Sequence, residues 1–351
     1  MLEEELPSDD FEYMQCGPSP PADHTPNIYE SFEEFSTSDL TVQICHDTIK
    51  MNLLELMKIS SGRHQLLDDI ENKKTIPENL EEAFCGASKA EINIAFIWSA
   101  FMKRWELLEG LVKLGAQLRY HEPNQGLGAL HLAAFSGCIP GTQFLIAQGC
   151  DVNAIYKCYT PLHCAAFGDS PDTAIILLNN GAKVQTLTNS PHSCHESVLH
   201  CAVRANAVAC VRLFTHEGAD AGEVELSGFP PIHLAADLGH PQCLKILLEP
   251  KNVDVNARTK EKEQTPLHLA AEGGYVECVD ILLEKGADAN IRNHRAQTPL
   301  HLAARSQAYD CVELLLRKGK THPNIGDCDK RTPLHAAVGK AARSYDIIEI
   351  L

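Results

Sequence analysis

Hydrophobic residues recur along this chain with helical spacing, in units that repeat about every 33 residues. The clearest unit begins with TPLHLAA at 265–271, where Thr265 is suited to cap a helix and Pro266 to occupy its first turn. Val276, Val279, Leu282 and Leu283 then share one face of a second helix over 276–285. Gly286 is suited to end that helix in a left-handed conformation. The pattern predicts a helical hairpin followed by an extended loop.

A histidine recurs at the same place in successive units. The series is His131, His163, His200, His233, His268, His301 and His335, so that successive sequence numbers differ by 32, 37, 33, 35, 33 and 34. A glycine series keeps the same period, at Gly115, Gly149, Gly181, Gly218, Gly286 and Gly319. Two series in phase at one period predict an all-α repeat solenoid, although a chain of 351 residues would ordinarily suggest two or three domains.

The repeated histidine has a catalytic and an architectural interpretation. A catalytic base would need a nucleophile or a carboxylate at a matching offset, and the units offer none consistently. The alternative is a buried histidine whose ring nitrogens are satisfied by hydrogen bonds, which is the usual state of a buried polar group. The sequence favours the architectural interpretation.

The units resemble the ankyrin repeat, a 33-residue helix-turn-helix unit with β-hairpin loops. The resemblance rests on Thr265 to Ala271 and Thr298 to Ala304, and it covers about seven clear repeats plus one degenerate repeat over 91–120. It implies that the histidine forms hydrogen bonds that link adjoining turns. It also implies that inner helices and hairpin tips form a concave face that binds other proteins. The residues to which the structural motif is carried over are Thr160, Pro161, His163, His200, His233, Thr265, Pro266, His268, Thr298, Pro299, His301, Thr332, Pro333 and His335.

The charge divides the chain into regions. The formal net charge is −17, and residues 1–49 hold twelve Asp or Glu and no Lys or Arg, which leaves −17 + 12 = −5 for the remainder. We expect a disordered acidic tail over 1–37, a helical N-terminal cap over 38–90 and the array over 91–351. This balance argues against nucleic acid as a partner, because phosphate binding needs Lys and Arg.

The cysteines raise two further alternatives. Fourteen cysteines scattered along a chain without a secretory signal predict reduced thiols and a cytoplasmic location. Cys194, His195, His200 and Cys201 are residue types that bind zinc, but the last two already occupy repeat positions, so no metal and no cofactor is predicted. Cys150, Cys158 and Cys164 are candidate reactive thiols, for which ordinary burial is the favoured alternative.

No phosphate loop, dinucleotide fingerprint or hydrolase elbow occurs, so the sequence favours a non-enzymatic protein-interaction module. The predicted hairpin tips over 258–264, 292–297 and 326–331 carry formal charges of +1, +2 and 0 and would line up along one edge. A solvated face is the alternative to a binding site. The candidate partner-binding residues of the tips are Arg258, Lys260, Lys262, Arg292, His294, Arg295, Lys330 and Arg331.

The end of the chain suggests a longer protein. The last unit stops at Leu351, before the glycine expected near position 355, which predicts a truncated last repeat. An array preceded by a short acidic segment is similar to the cytosolic N-terminal region of insect TRPA-type cation channels of the pyrexia and water witch kind. That resemblance implies a transmembrane pore beyond Leu351 and a membrane tether for a segment that does not itself contact the membrane. The alternatives are a soluble ankyrin adaptor or scaffold, such as a ubiquitin-ligase substrate receptor, and an enzyme whose catalytic domain lies downstream.

Overall fold

The structure is a computed structural model that describes residues 65–73, 77–121, 127–155, 159–188, 196–222, 224, 228–250, 253–338, 347 and 350–351. A short 3-10 turn occupies Pro77–Asn79. The α-helices are α1 Gln65–Glu71, α2 Leu80–Ala83, α3 Lys89–Phe101, α4 Trp105–Lys113, α5 Ala129–Ser136, α6 Ile139–Ala147, α7 Pro161–Phe167, α8 Pro171–Asn179, α9 Val198–Arg204, α10 Val208–His216, α11 Pro231–Asp237, α12 Pro241–Leu247, α13 Pro266–Gly273, α14 Val276–Glu284, α15 Pro299–Ser306, α16 Tyr309–Lys318 and α17 Pro333–Val338.

Each unit pairs a first helix, which begins at the repeated motif, with a second helix that packs against it. The first helices stack on one another from unit to unit, as α13 does on α15, and the second helices form a parallel stack, as α14 does on α16. Ala270 and Ala271 are fully buried between first helices, where a small side chain allows close approach. Leu267 and Leu282 are also fully buried, each worth about 1.5–3 kcal/mol of transfer free energy. This arrangement confirms the predicted solenoid of helix-turn-helix units.

Glycines end both helices of the clearest unit, and the sequence predicts the second of them. Gly274 caps α13 in the left-handed conformation with φ of 74°. Gly286 follows α14 with φ of 87°, a conformation that a side chain would strain. The turn after each helix is therefore fixed by residues without a side chain.

The N-terminal end of the array is closed by buried polar contacts. Trp98 of α3 donates its indole N–H to the carbonyl oxygen of Leu67 at 3.1 Å. Arg104 is buried, donates to the carbonyl oxygen of Ile70 at 2.8 Å and contacts the Glu106 carboxylate. Because these carbonyls belong to α1, the contacts fasten α1 onto the degenerate repeat formed by α3 and α4. The rest of the predicted cap, over 38–64, lies outside the described residues, as does the predicted acidic tail over 1–37.

The loops differ from the expected β-hairpins. The described loops contain two isolated β-bridges, His121 with Gly128 and Leu187 with Ser197, and no strand. A strand does not form because many loop backbone groups bond to side chains and to the next loop. The N–H of Asp288, for example, donates to Oδ1 of Asn256 in the preceding repeat at 2.9 Å.

Among the described residues, none of the helices is long and apolar enough to cross a bilayer. The end of the last predicted repeat falls mostly on residues 339–346 and 348–349, which lie outside the described part of the chain. The expectation that this repeat is truncated therefore stays a prediction.

Candidate protein-interaction surface

The repeated histidine links its own helix to the next repeat. The backbone N–H of Thr265 donates to Nδ1 of His268 at 3.2 Å, and the Thr265 hydroxyl lies 2.8 Å from the same nitrogen. The Nε2 atom of His268 lies 3.0 Å from the carbonyl oxygen of Gln297. A carbonyl only accepts hydrogen bonds, so Nε2 carries the proton and Nδ1 accepts. Both ring nitrogens are thus used within the protein.

The same contacts recur along the array. The hydroxyl before the first helix lies 2.8–2.9 Å from Nδ1 in four further pairs, Thr160 with His163, Ser197 with His200, Thr298 with His301 and Thr332 with His335. Nε2 lies 3.0–3.2 Å from a carbonyl oxygen further along the chain in four further pairs, His131 with Ala154, His200 with Phe229, His233 with Ala257 and His301 with Arg331. Repetition of one geometry indicates a structural role for the series.

The unit that begins at α11 lacks the usual cap because of a proline. The residue before α11 is Pro230, which has neither a hydroxyl nor a backbone N–H. Among the described residues, Nδ1 of His233 is buried without a hydrogen-bond partner. The missing cap therefore leaves an unsatisfied polar atom in this repeat.

Burial favours the neutral form of the buried histidines of the series. It lowers the pKa of His131, His163, His233 and His268 from 6.5 to about 4, because the charged ring would lose its hydration. It also lowers the pKa of His200 and His301. A ring such as that of His268, with a pKa of about 4 and a lone pair that already accepts from a helix cap, is a poor general base near pH 7.

The candidate zinc ligands are occupied by other contacts where the structure describes them. His200 bonds to Ser197 and Phe229, and the fully buried Sγ of Cys201 lies 3.7 Å from a carboxylate oxygen of Glu196. Burial raises the pKa of Cys201 well above its usual value, whereas zinc binds the thiolate. Cys194 and His195 lie outside the described residues.

The cysteines of the second helices are buried core residues. Burial raises the pKa of Cys210, Cys243 and Cys278 to about 12 and that of Cys311 to about 11. Of the three candidate reactive thiols, Cys164 is buried, Cys150 has its pKa raised to about 11 by burial, and Cys158 lies outside the described residues. These environments favour the thiol over the reactive thiolate.

Three loops carry the candidate partner-binding residues, and we call them tip 1 (258–264), tip 2 (292–297) and tip 3 (326–331). Each is closed by one backbone hydrogen bond of 2.8–2.9 Å, from Thr259 to Gln264, Asn293 to Gln297 and Asp327 to Arg331. The side chain of the first residue in each pair is buried and accepts from the N–H of the second at 2.9–3.0 Å. These three polar residues were not predicted, although they recur in the sequence with the period of the repeat.

Hydrogen bonds also join each tip to the next. The backbone N–H of His294 donates to the carbonyl oxygen of Lys262 at 3.1 Å, and the His294 ring donates to the same oxygen through Nδ1 at 2.8 Å. The backbone N–H of Cys328 donates to the carbonyl oxygen of Arg295 at 3.0 Å. The three tips therefore form one continuous, braced edge.

The basic residues of the tips fall into two groups. Arg258 pairs with Glu263 at 3.1 Å, and Arg331 pairs with Asp327 at 3.2 Å and with Asp329 at 2.6 Å. Arg292 donates to carbonyl oxygens. The second group comprises Lys260, Lys262, Arg295 and Lys330, which are exposed and form no ion pair with a described residue. This second group is available to meet a partner.

A second row of charges lies at the C-terminal ends of the first helices. Arg204, Asp237, Glu272 and Arg305 occupy the same register in successive repeats. Arg305 pairs with Glu272 at 2.5 Å, and Arg204 pairs with Glu196 at 2.5 Å. Burial, and then the charge of Glu272, raise the pKa of Asp237. This row was not predicted, because its residues follow the helical motif instead of forming part of it.

Stacked helical hairpins, histidine-linked repeats and braced loops define a repeat solenoid. The chain matches the family described as ankyrin repeats (3 copies) at residues 96–188, 199–293 and 288–351. These segments span well over half of the sequence. The chain therefore belongs to the ankyrin-repeat family.

Individual relatives agree with this assignment. An ankyrin repeat protein of fowlpox virus (strain NVSL) is 24% identical over 143 residues, which are 40% of this chain and 97% of the viral protein. An ankyrin and IPT/TIG repeat-containing protein of Schizosaccharomyces pombe is 46% identical over 59 residues, which are 16% of this chain and 5% of the yeast protein. The solved ankyrin repeat domain of Bcl-3, described as a unique member of the IkappaB protein family, has a TM-score of 0.54 at 24% identity. That match covers 65% of this chain and 99% of the Bcl-3 domain, and it concerns the fold alone.

Proposed function

We propose that this chain is a non-enzymatic protein-interaction module that binds its partner through tips 1 to 3 and the charged ends of the first helices. One observation carries the proposal. Four exposed basic side chains, Lys260, Lys262, Arg295 and Lys330, lie on loops that are hydrogen-bonded to one another. Braced loops place these charges at low entropic cost on binding, which favours recognition.

Binding is favoured over catalysis because the titratable residues of the repeat are already used. Histidines such as His268 hold a helix cap and a neighbouring carbonyl, and burial raises the pKa of second-helix cysteines such as Cys278. The tips expose charge, which serves specificity and association rate in protein recognition.

Two finer assignments use the same binding surface. In one, the array is the cytosolic N-terminal part of a TRPA-type cation channel, and in the other it is a soluble adaptor or scaffold such as a ubiquitin-ligase substrate receptor. A cytoplasmic location suits both. They differ in the segment that each requires downstream of the array, so the sequence of the full-length transcript separates them. Six hydrophobic spans with a pore loop would support the channel, and a short helical box would support the receptor.

Affinity capture with matched variants tests the interaction itself. The tip variant reverses four charges by changing Lys260, Lys262, Arg295 and Lys330 to Glu. The control variant makes the same change in net charge on the second helices, at Lys113, Arg212, Lys245 and Arg317. We expect a stoichiometric partner that the wild type and the control retain and the tip variant loses. A partner that binds all three proteins equally would overturn the assignment of this surface.

A further inference from the structure

Arg292 differs from Arg258 and Arg331, the other two tip arginines whose side chains bond within the protein. Its Nε donates to the carbonyl oxygen of Ala296 at 3.1 Å and its Nη2 to that of Gly326 at 2.7 Å. A carbonyl orients the guanidinium but carries no net charge. Arg258 and Arg331, in contrast, each pair with carboxylates. Within the described residues, Arg292 is therefore held in place without an ion pair.

The difference follows from the residues that the tips enclose. Arg258 and Arg292 occupy the same register in successive repeats. In tip 1 the closing pair, Thr259 and Gln264, encloses four residues, the last of which is Glu263. In tip 2 the closing pair, Asn293 and Gln297, encloses three, and none of residues 292–297 is Asp or Glu. The shorter tip lacks the carboxylate, so the arginine reaches across to tip 3.

Other positively charged side chains lie near Arg292. Arg295 is exposed on the same tip. Lys262 is exposed on the adjoining tip, and its own backbone carbonyl accepts a hydrogen bond from His294. The carboxylates of tip 3, Asp327 and Asp329, are paired with Arg331. Positive charge is thus concentrated on tip 2, at the middle of the braced edge.

We propose that tip 2 anchors a short acidic segment of the partner protein, with Arg292 binding a carboxylate and with Arg295 and Lys262 flanking it. This inference rests on the proposed function and specifies the chemistry of its partner. Two of the five guanidinium N–H groups are used internally, which leaves donors for a carboxylate from a fixed position. Residues 50–351 carry a formal net charge of −17 + 12 = −5, so a long polyanion such as nucleic acid is repelled by the rest of the array.

Fluorescence anisotropy with a labelled hexaglutamate peptide and the full chain tests the proposal, with hexaglutamine as the control peptide. Arg292→Gln should weaken hexaglutamate binding roughly ten-fold, because a charge-assisted contact is lost. Arg292→Lys should recover only part of the affinity, since an ammonium does not span two carbonyls and a carboxylate. Lys245→Gln, which removes one exposed charge from α12, should change the affinity less than about two-fold, as expected for a distant screened charge.

The outcomes separate this inference from the proposed function. Equal weakening by Arg292→Gln and Lys245→Gln, or no preference for hexaglutamate over hexaglutamine, would overturn the acidic-segment proposal. If the captured protein partner still binds the tips in that case, the proposed function stands and only the partner chemistry is wrong. If hexaglutamate binds through Arg292 but no protein partner depends on the tips, the proposed function is wrong and only the anion-binding site is supported. Unfolding midpoints equal to the wild type establish that each variant is folded.

Discussion

The Nε2–H of His268 donates a 3.0 Å hydrogen bond to the carbonyl oxygen of Gln297, the residue immediately before the corresponding motif of the next repeat. The other ring nitrogen of His268 accepts from Thr265 at the start of its own helix. One side chain therefore fixes a helix terminus and a junction between repeats. Since stability in a solenoid is a sum of unit and interface contributions, such a contact acts on both.

Replacement of His268 by Ala should lower the free energy of unfolding by about 1–3 kcal/mol, because buried donors and acceptors lose their partner. Urea denaturation followed by circular dichroism measures the change. His216→Ala, at an exposed position at the end of α10, is the control and should stay within about 0.5 kcal/mol of the wild type. Equal losses in the two variants would contradict the structural role.

A single substitution should increase the stability of the repeat that begins at Pro230. Pro230 has φ of −67° and ψ of 158°, close to the values of −89° and 163° at Thr265, so a threonine fits the backbone. Pro230→Thr should add a cap and a partner for Nδ1 of His233 and so raise the free energy of unfolding by about 1 kcal/mol. Thr265→Pro is the reverse change and should lower it. A loss of stability in Pro230→Thr would show that Nδ1 of His233 does not need this partner.

Because the buried histidines have lowered pKa values, we expect the stability of the protein to depend on pH. Burial lowers the pKa of His131, His163, His233 and His268 from 6.5 to about 4, so between these values the unfolded chain binds protons that the folded chain does not. The free energy of unfolding should therefore fall as pH drops below about 6.5, with each histidine contributing a slope approaching 1.4 kcal/mol per pH unit. Above about pH 7 these groups are neutral in both states and contribute no slope.

Comparison of urea midpoints at pH 7.5 and 5.5 measures this effect. In His268→Gln one of the titrating groups is gone, so the difference between the two pH values should be smaller than in the wild type. The same difference in both proteins would contradict the assigned protonation of His268.

The sequence was sufficient for the helical repeats because the features that specify an ankyrin unit are local. Thr265 and Pro266 act at the start of α13 and Gly286 at the end of α14, and the period of the histidines is visible without knowledge of any contact. The contacts that hold α1 against the degenerate repeat were not predictable. The hydrogen bonds from Trp98 to Leu67 and from Arg104 to Ile70 join distant parts of the chain without a repeated motif.

The candidate binding surface was only partly predictable. Composition identified the basic residues of the tips, but it did not separate Arg331, which pairs with two aspartates, from Lys330, which forms no ion pair with a described residue. The position of Arg292 depends on the absence of a carboxylate from tip 2 and on the carbonyl of Gly326 in the next repeat. Contacts between repeats decide which charges remain available, and the sequence of a single repeat does not contain them.

The cysteines should differ sharply in reactivity. Cys311 is fully buried with its pKa raised to about 11, whereas Cys328 is exposed on tip 3. Iodoacetamide labelling of the native protein, resolved by peptide mass spectrometry, should modify Cys328 at least roughly ten times faster than Cys311. In urea the two rates should converge. Similar rates in the native state would contradict the packing of the second helices.

Calorimetric titration of the captured partner separates the structural role of the repeated histidines from the binding role proposed for the tips. We expect folded His268→Ala to bind with the affinity of the wild type, and the tip variant, with Lys260, Lys262, Arg295 and Lys330 changed to Glu, to lose at least about ten-fold in affinity. Each titration is made below the unfolding temperature of the variant used. Wild-type affinity in the tip variant together with lost binding in folded His268→Ala would contradict the account and make the histidine the functional residue.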